Sequence, residues 1–407
     1  MLDIKFVREN TELVKKALAK KHTVFDVEKL LGLDDAYKAA LGEVEAMRHK
    51  LNEATRVKDQ KTGKIIKEAL KKAENRLGQA EHAFNDLAIQ FHNVPQESVP
   101  SKDAGNKTVG TWGEKPNFDF KPKDHLELGE VLDLIDVKRA AKVSGTRFGY
   151  LKNEAVELEF ALVRWLFEKL TKKGFVLMVP PVLVREQAMF GTGFFPTERE
   201  EYYKTSADDL YLAGTAEVPL ASYHAQEVLS QDSLPMKYAG FSTSFRREAG
   251  SYGKDTRGIF RVHQFDKIEM FVYADPAKSW DVFEQLAEIS KEIFTELGFH
   301  FRQVNMSGVE LGAPNAKKYD FEVWIPSYKD FRELASCSND TDFQARRLDI
   351  KFRDPSGKTS YVHTLNNTAL AIGRTLVAIL EQYQQKDGSV KVPQVLHKYL
   401  SFTEIKK

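Results

Sequence analysis

Two runs of apolar residues, stepping by alternating threes and fours, limit what this chain can fold into more than any other feature. The first is Leu30, Leu33, Tyr37, Ala40, Val44, Met47, Leu51 and Ala54; the second is Ile66, Leu70, Ala73, Leu77, Ala80, Phe84, Leu87 and Phe91. A 3.5-residue period puts each set on one stripe of a helix. Two such stripes joined across Asp59–Gly63 predict an antiparallel coiled-coil hairpin with a tight glycine-containing turn, over residues 28–92. At about 1.5 Å per residue, each helix would be about 45 Å long, an arm that must project from any compact domain. Near its tip Arg56, Lys58, Lys61, Lys64, Lys67, Lys71 and Lys72 meet only Asp59 and Glu68. A solvated helix surface accounts for such a run taken alone. On a rigid arm the same run suits a phosphate backbone, recognised by charge and shape, since few aromatics lie there to stack on bases. Residues 1–20 read as a shorter amphipathic helix.

The texture changes after His92. Between there and Asp124 lie Pro95, Pro100, Pro116 and Pro122 with Gly105, Gly110 and Gly113, which marks a boundary. The division expected is an N-terminal domain at 1–100, a linker at 101–124 and a larger domain at 125–407. In the last, a helix is expected over Glu154–Lys172, a strand over Phe175–Val179 stopped by Pro180 and Pro181, and a loop over Met189–Pro196. A strand then leads into GTAE at 214–217, with Thr215 and Glu217 placed to cap a helix. Further helices are expected at 275–298 and Leu370–Gln385, the latter with Gly373 close-packed, and strands at Tyr319–Trp324 and Phe331–Ser336. Strands and helices alternate only loosely, so the fold class is α+β with an antiparallel sheet rather than a parallel one. A net charge of +1 leaves only local basic patches to bind nucleic acid, and the single Cys337 excludes an internal disulfide framework. The start MLDIKFVREN lacks the apolar core of a signal peptide and no run is long enough to span a bilayer, so a cytoplasmic protein is expected.

Chemistry concentrates in Phe241–Tyr273, FSTSFRREAGSYGKDTRGIFRVHQFDKIEMFVY. It reads as strand, loop and strand, the loop punctuated by Gly250, Gly253 and Gly258. Alternation puts Arg246 and Glu248 on one face of the first strand, and Arg261, His263, Phe265, Lys267 and Glu269 on one face of the second. So many charges beside an aromatic suit an anionic, partly aromatic ligand better than a core. No GxxxxGK[ST] loop, GxGxxG turn, GxSxG elbow or histidine pair at metal spacing is present. Arginines at 246, 261 and 374, with an aromatic at 265, point to a nucleoside triphosphate held on a sheet.

The motifs carry a resemblance. FRRE at 245–248 resembles the second signature of class II aminoacyl-tRNA synthetases, GFVLMVPPVL at 174–183 the first, a dimer-interface element, and ALAIGR at 369–374 the third. GTAEVPL, RVHQFDKIE, ELASCSND and TLNNTALAIGR follow in the order of bacterial-type seryl-tRNA synthetases, with the basic arm where that family carries one. The chain is thereby identified as a member of that family. The resemblance implies an antiparallel class II catalytic domain and a cytoplasmic homodimer. The implied reaction uses ATP and Mg²⁺ to form seryl-adenylate, then passes serine to tRNA(Ser), held by its long variable arm, and to tRNA(Sec).

Its residues carry over as follows. Arg246, Glu333 and Arg374 would be catalytic. Arg246, Arg247, Glu248, Val262, Phe265, Glu333, Leu334, Ala335, Ser336 and Arg374 would bind ATP, with Phe265 stacked on adenine and Arg374 at the γ-phosphate. Glu333 and Ser336 would hold Mg²⁺. Thr215, Ala216, Glu217, Glu269 and Thr368 would bind L-serine. Arg56, Lys58, Lys61, Lys64, Lys67, Lys71 and Lys72 would bind tRNA. Two departures stand out: ELAS where the family usually has EISS, so Ala335 supplies no hydroxyl, and NNTA for NGSG, so Asn367 and Thr368 replace glycine and serine. Competing readings are a class II ligase for another amino acid or a carrier protein, and a non-catalytic tRNA-binding paralogue.

Overall fold

The computed structural model describes residues 3–21, 23, 25–101, 103–249 and 257–407. The chain divides into two compact units, Met1–Val94 and Pro95–Lys407.

The first unit is helical. The expected helix over residues 1–20 is two, α1 (Ile4–Glu9) and α2 (Thr11–Lys20), broken at Asn10, whose side chain turns back onto the Phe6 carbonyl at 3.0 Å. The heptad runs form α3 (Val27–Arg56) and α4 (Gln60–Ala88). At the base of the hairpin Val7, Val14, Leu18, Val27, Leu30, Ala88 and Phe91 make a closed cluster. Farther out Val44 and Ala73 are fully buried, Tyr37 stacks on Phe84, and Arg48–Glu74 (2.9 Å) and Arg76–Glu43 (2.5 Å) bridge the helices. Most other seam residues stay half-buried, because two helices alone cannot enclose an apolar stripe. The turn falls earlier than expected and does not use Gly63, which lies inside α4. Lys58 takes the left-handed conformation (φ 58°) and Asp59 caps α4 by accepting from the Thr62 amide at 3.0 Å.

The second unit is built on an eight-stranded sheet among the described residues. Its strands are β1 (Lys107–Trp112), β2 (Val176–Met178), β3 (Met236–Phe245), β4 (Gln264–Ala274), β5 (Phe301–Asn305), β6 (Lys317–Ile325), β7 (Asp330–Thr341) and β8 (His363–Ala371). The spatial order is β1-β5-β6-β7-β8-β4-β3-β2. Every neighbouring pair is antiparallel except β2–β3, and the proline-stopped β2 is an edge strand. The stretch expected as a linker contributes the opposite edge, β1. The helices that matter below are α5 (His125–Val131), α6 (Glu154–Lys172), α7 (Glu186–Thr192), α8 (Glu217–Ala221), α9 (Ser279–Glu296), α10 (Phe343–Leu348) and α11 (Ile372–Gln382).

Differences from expectation have local causes. Met189–Thr192 is helical, not loop: Gly191 is there because Leu348 of α10 comes within 2.2 Å of where a Cβ would stand, so its absent side chain serves packing rather than a turn. Helix α9 begins at Ser279 because Asp275 is spent on the preceding turn, accepting from the Ala277 amide at 2.9 Å. Leu370 and Ala371 finish β8 before α11 starts. Gly373 is not tightly packed, since a Cβ there would meet only the Ile259 carbonyl at an ordinary 3.6 Å.

The sheet has one face toward α9 and α11 and one that forms a cleft. On β4 the alternation is strict: Ile268, Met270, Val272 and Ala274 enter the main core, while Phe265, Lys267 and Glu269 line the cleft. Two other strands break it. Register slips by one residue at Leu334, where Phe321 pairs Ala335 but Glu322 pairs Glu333, and again at Ala369, between the Thr368–Glu269 and Leu370–Ile268 pairs. These bulges put Glu333 on the same face as Ser336 and Ser338, and Ala371 on the same face as Asn366 and Thr368.

Candidate active site

The cleft face holds a cavity of about 430 Å³. One group of its walls is built around Arg246. Strand β3 ends at Phe245, so Arg246, Arg247 and Glu248 lie beyond it, and Arg261 and His263 precede β4; alternation had placed them on the strands. They are held by specific contacts instead. The Arg246 amide donates to the His263 carbonyl at 2.9 Å, and His263 Nδ1–H donates to the Arg246 carbonyl at 2.9 Å. The Arg246 guanidinium donates to the Gly214 carbonyl at 3.2 Å and lies 5.3 Å from the centre of the Phe265 ring. Gly214 is required by the packing of Tyr202, whose ring would sit 2.7 Å from a Cβ there, whereas Arg246 would come no nearer than 3.4 Å. Glu248 adopts a left-handed backbone (φ 52°), is 9% exposed and pairs with Arg261. Arg261 and His263 thus fix Glu248 and Arg246 in place. Gly250 and Gly253, expected to punctuate the loop, lie outside the described residues.

Arg374, in the first turn of α11, donates to the Glu333 carbonyl at 2.8 Å, with the Glu333 carboxylate 3.6 Å away. Its guanidinium lies 5.0 Å from the Phe260 ring. The end of the loop that carries Phe260 is anchored by His125, whose Nε2 accepts from the Ile259 amide while Nδ1–H donates to the fully buried Glu381 of α11 at 2.9 Å. Burial alone would raise the Glu333 carboxyl, but Arg374, Lys318, Arg246 and Lys267 outweigh it and hold it below the usual carboxylate range.

A second group of walls surrounds Glu269, 2% exposed. Its carboxylate pairs with the buried Lys267 at 2.5 Å and accepts from the Thr368 hydroxyl at 3.2 Å. Glu217, at the start of α8, accepts from Gln344 at 2.8 Å and Asn366 at 3.2 Å, and its amide donates to the Thr215 hydroxyl at 3.1 Å. Burial first, then the carboxylates of Asp340 and Glu269, push Glu217 up to about 8, against the pull of Gln344 and Lys267. A carboxylate-rich pocket with hydroxyl and amide donors suits a small ligand bearing an ammonium and a hydroxyl. The arginine-lined part suits phosphates beside an aromatic ring.

The cavity therefore brings together Thr215, Glu217, Arg246, Glu248, Val262, Phe265, Glu269, Glu333, Leu334, Ser336, Thr368 and Arg374. Three expected residues do not line it. Arg247 is exposed, with its amide on the Glu201 carbonyl, and the side chains of Ala216 and Ala335 are buried in the core. The ELAS departure thus falls on the core side of β7. Asn367 likewise faces α9, donating to the Leu286 carbonyl at 2.7 Å, so of the NNTA changes only Thr368 reaches the cavity. Lys267, Lys318, Ser338 and Asn366 line it without having been assigned a role; alternation had put Lys267 on the face of Glu269, and Asn366, two residues from Thr368, could have been marked the same way. Glu333 and Ser336 offer hard oxygen donors that fit a magnesium ion, but a single carboxylate is few for an all-protein cage, and no group of three metal-ligating side chains occurs among the described residues. In the helical unit, the seven basic residues near the hairpin tip are exposed, and none forms an ion pair among the described residues. No described helix is long and apolar enough to cross a membrane.

Residues 199–383 match the family model for the tRNA synthetase class II core domain (G, H, P, S and T), and residues 1–95 match the seryl-tRNA synthetase N-terminal domain. A serine–tRNA ligase of Treponema denticola is 42% identical over the whole of both chains. One from Pyrococcus horikoshii is 43% identical over all of this chain and 97% of the relative. Among solved structures, the seryl-tRNA synthetase of Pyrococcus horikoshii complexed with ATP superposes with a TM-score of 0.93 at 41% identity, covering 100% of this chain and 99% of that one. The cytoplasmic serine–tRNA ligase of Naegleria fowleri in complex with AMP gives 0.91 at 33% identity, with the same coverage.

Proposed function

The chain belongs to the seryl-tRNA synthetase family and is an ATP-dependent serine–tRNA ligase; from that premise we propose which groups carry each step. The observation that carries the assignment is one cavity in which Arg246, Arg374 and Phe265 face the same space as Thr215, Glu217, Glu269 and Thr368. ATP lies with adenine on Phe265 and its α-phosphate at Arg246, while Arg374 meets the γ-phosphate. Serine lies with its ammonium among Thr215, Glu217 and Glu269, and its hydroxyl at Glu269 and Thr368.

The serine carboxylate, already a nucleophile at neutral pH, attacks the α-phosphorus in line and pyrophosphate leaves. No general base is needed. Catalysis rests on alignment and on cancelling the charge that grows on the phosphates, which Arg246 and Arg374 do from fixed positions. Glu333 and Ser336 would hold a magnesium ion, which would supply further charge neutralisation. In the second step the terminal ribose 3′-hydroxyl of tRNA(Ser) attacks the mixed anhydride. The basic end of the α3–α4 hairpin grips the long variable arm through phosphates.

The test of substrate choice is ATP–pyrophosphate exchange across all amino acids, followed by charging of tRNA(Ser). Serine alone should support exchange. Arg374→Ala should lower it by about a hundredfold with serine binding retained; wild-type exchange in that variant would remove Arg374 from the mechanism. A homodimer is proposed through the face carrying Phe160 of α6 and Val176 and Val179 at the β2 edge, which are 62%, 58% and 79% exposed. Sedimentation of the full chain at micromolar concentration should give a dimer that Phe160→Glu weakens, and a monomeric wild type would refute it.

A further inference from the structure

Lys318 enters the cavity from β6. On that strand Tyr319, Phe321 and Val323 belong to the main core, so Lys318, Asp320 and Glu322 take the cleft face. Glu322 is held by Arg302 of β5. Asp320 is 4% exposed, and Lys318 Nζ lies 3.1 Å from its Oδ1. The partner of Asp320 on β5 is Val304, which forms a closed apolar cluster with Val99, Met306 and Leu311. The side of the ammonium that is left open is the cavity.

An ammonium has three N–H donors. Among the described residues, Asp320 alone stands close enough to take one of them. Lys267, the other lysine of the cavity, is bound instead to Glu269. Burial works against the charge on Lys318, but Asp320, Glu333 and Glu310 outweigh it and hold the ammonium above its usual range. A fixed cation with spare donors on a cavity wall suits an anion.

Register says which anion. Across β6–β7, Lys318 pairs with Ser338 and Asp320 with Ser336, so a side chain leaning from Lys318 to Asp320 runs along β7 toward Ser336 and Glu333. Ser336 and Thr368 each stand one residue on from the Cys337–Asn367 pair, and Thr368 lies opposite Glu269. The ammonium is thus between the pocket of Glu269 and the phosphate side at Glu333. Arg246 reaches Glu333 from beyond β3, at the other side of the cleft. The group that joins amino acid to nucleotide is the α-phosphoryl.

We propose that Lys318 is a further catalytic residue, which binds an α-phosphoryl oxygen opposite the one held by Arg246. The inference rests on the reading of Arg246 as the α-phosphate ligand. In the step it serves, a bond forms from a serine carboxylate oxygen to the α-phosphorus. The bond to the bridging oxygen breaks, its electron pair leaves with pyrophosphate, and no proton moves. Lys318 meets the charge spread over the α-oxygens from a place already set by Asp320.

Calorimetry of the full-length enzyme with adenosine and with AMP isolates the α-phosphate. In Lys318→Met the preference for AMP over adenosine should fall by about tenfold or more, with adenosine binding unchanged. Serine-dependent ATP–pyrophosphate exchange should fall by about a hundredfold at saturating substrates, and Lys318→Arg should recover part of it. Removing the cation strands Asp320, so Lys318→Met is also combined with Asp320→Asn. The double variant should melt close to the wild type and still lack the AMP preference. If it regains wild-type exchange, Lys318 does no more than neutralise Asp320, and the proposal falls. A wild-type AMP preference in Lys318→Met overturns it as well, even where ATP binding weakens, since the ammonium would then serve the departing phosphates. If Arg246→Ala keeps the wild-type AMP preference, the underlying reading of Arg246 fails instead.

Discussion

Replacing Glu269 by alanine removes serine-dependent ATP–pyrophosphate exchange, by about a thousandfold or more, because a pocket built to bond a hydroxyl and an ammonium loses its central acceptor. Serine offers little apolar surface, so discrimination against alanine and glycine depends on polar groups left unpaired when the hydroxyl is missing. Glu269 is the residue where those bonds meet: Thr368 donates to it and Lys267 lies 2.5 Å away. The substitution also strands the buried Lys267 ammonium, which is expected to cost about 3–5 kcal/mol of folding stability. Glu269→Gln keeps the volume and separates the two effects. It should fold, bind adenosine normally and still fail to activate serine. Unchanged exchange in the alanine variant would sink the assignment.

Shortening the arm should split the two half-reactions. Joining Ala40 to Ala80 through a short turn removes the basic tip and the distal seam. It keeps the cluster of Val7, Val14, Leu18, Val27, Leu30, Ala88 and Phe91 that closes the base of the unit, and the Tyr37–Phe84 stack at the cut. A wider excision, 34–92, would take Ala88 and Phe91 with it and confuse misfolding with lost binding. With the shorter cut, seryl-adenylate should form at the wild-type rate while charging of tRNA(Ser) falls by two or more orders of magnitude at moderate salt, since several phosphate contacts go at once. If charging survives, the arm is a spacer and its lysines a solvated surface.

What could be read from the sequence was whatever repeats with a fixed period. The hairpin showed because its seam recurs at eight positions in each run, and α6 showed because its apolar side ends at a lysine-rich turn and Gly174. Phe265, Lys267 and Glu269 were legible because β4 alternates without a fault. The arginine pattern singled out Arg246 and Arg374, and resemblance gave them roles; Glu333 and Ser336 came from resemblance alone, since strict alternation would have set them, three residues apart, on opposite faces. What stayed hidden depends on distant parts of the chain meeting. Gly191 looks like a loop residue until Leu348 packs over it. Arg261 and His263 gain their tasks only when Glu248 and Arg246 fold back past the end of β3. Asn366 becomes a bridge only once Asp340 and Glu217 flank it, its amide nitrogen donating to both carboxyls at 3.0 and 3.2 Å. The ELAS and NNTA changes seemed to threaten the pocket, yet Ala335 and Asn367 point away from it, leaving Thr368 as the one change that reaches it.

The bulges at Leu334 and Ala369 bear on how such a site can change over generations. Substitutions in β7 and β8 act one side chain at a time, but losing the extra residue at either bulge shifts the phase of everything on one side of it. Oxygen-bearing groups would be driven into the oily interior, and alkyl groups out into the space meant for nucleotide or amino acid. Loops that carry no cavity residue can lengthen or shorten with little consequence. These two strands instead behave like a message read in fixed steps, where the count of residues carries as much meaning as their identity.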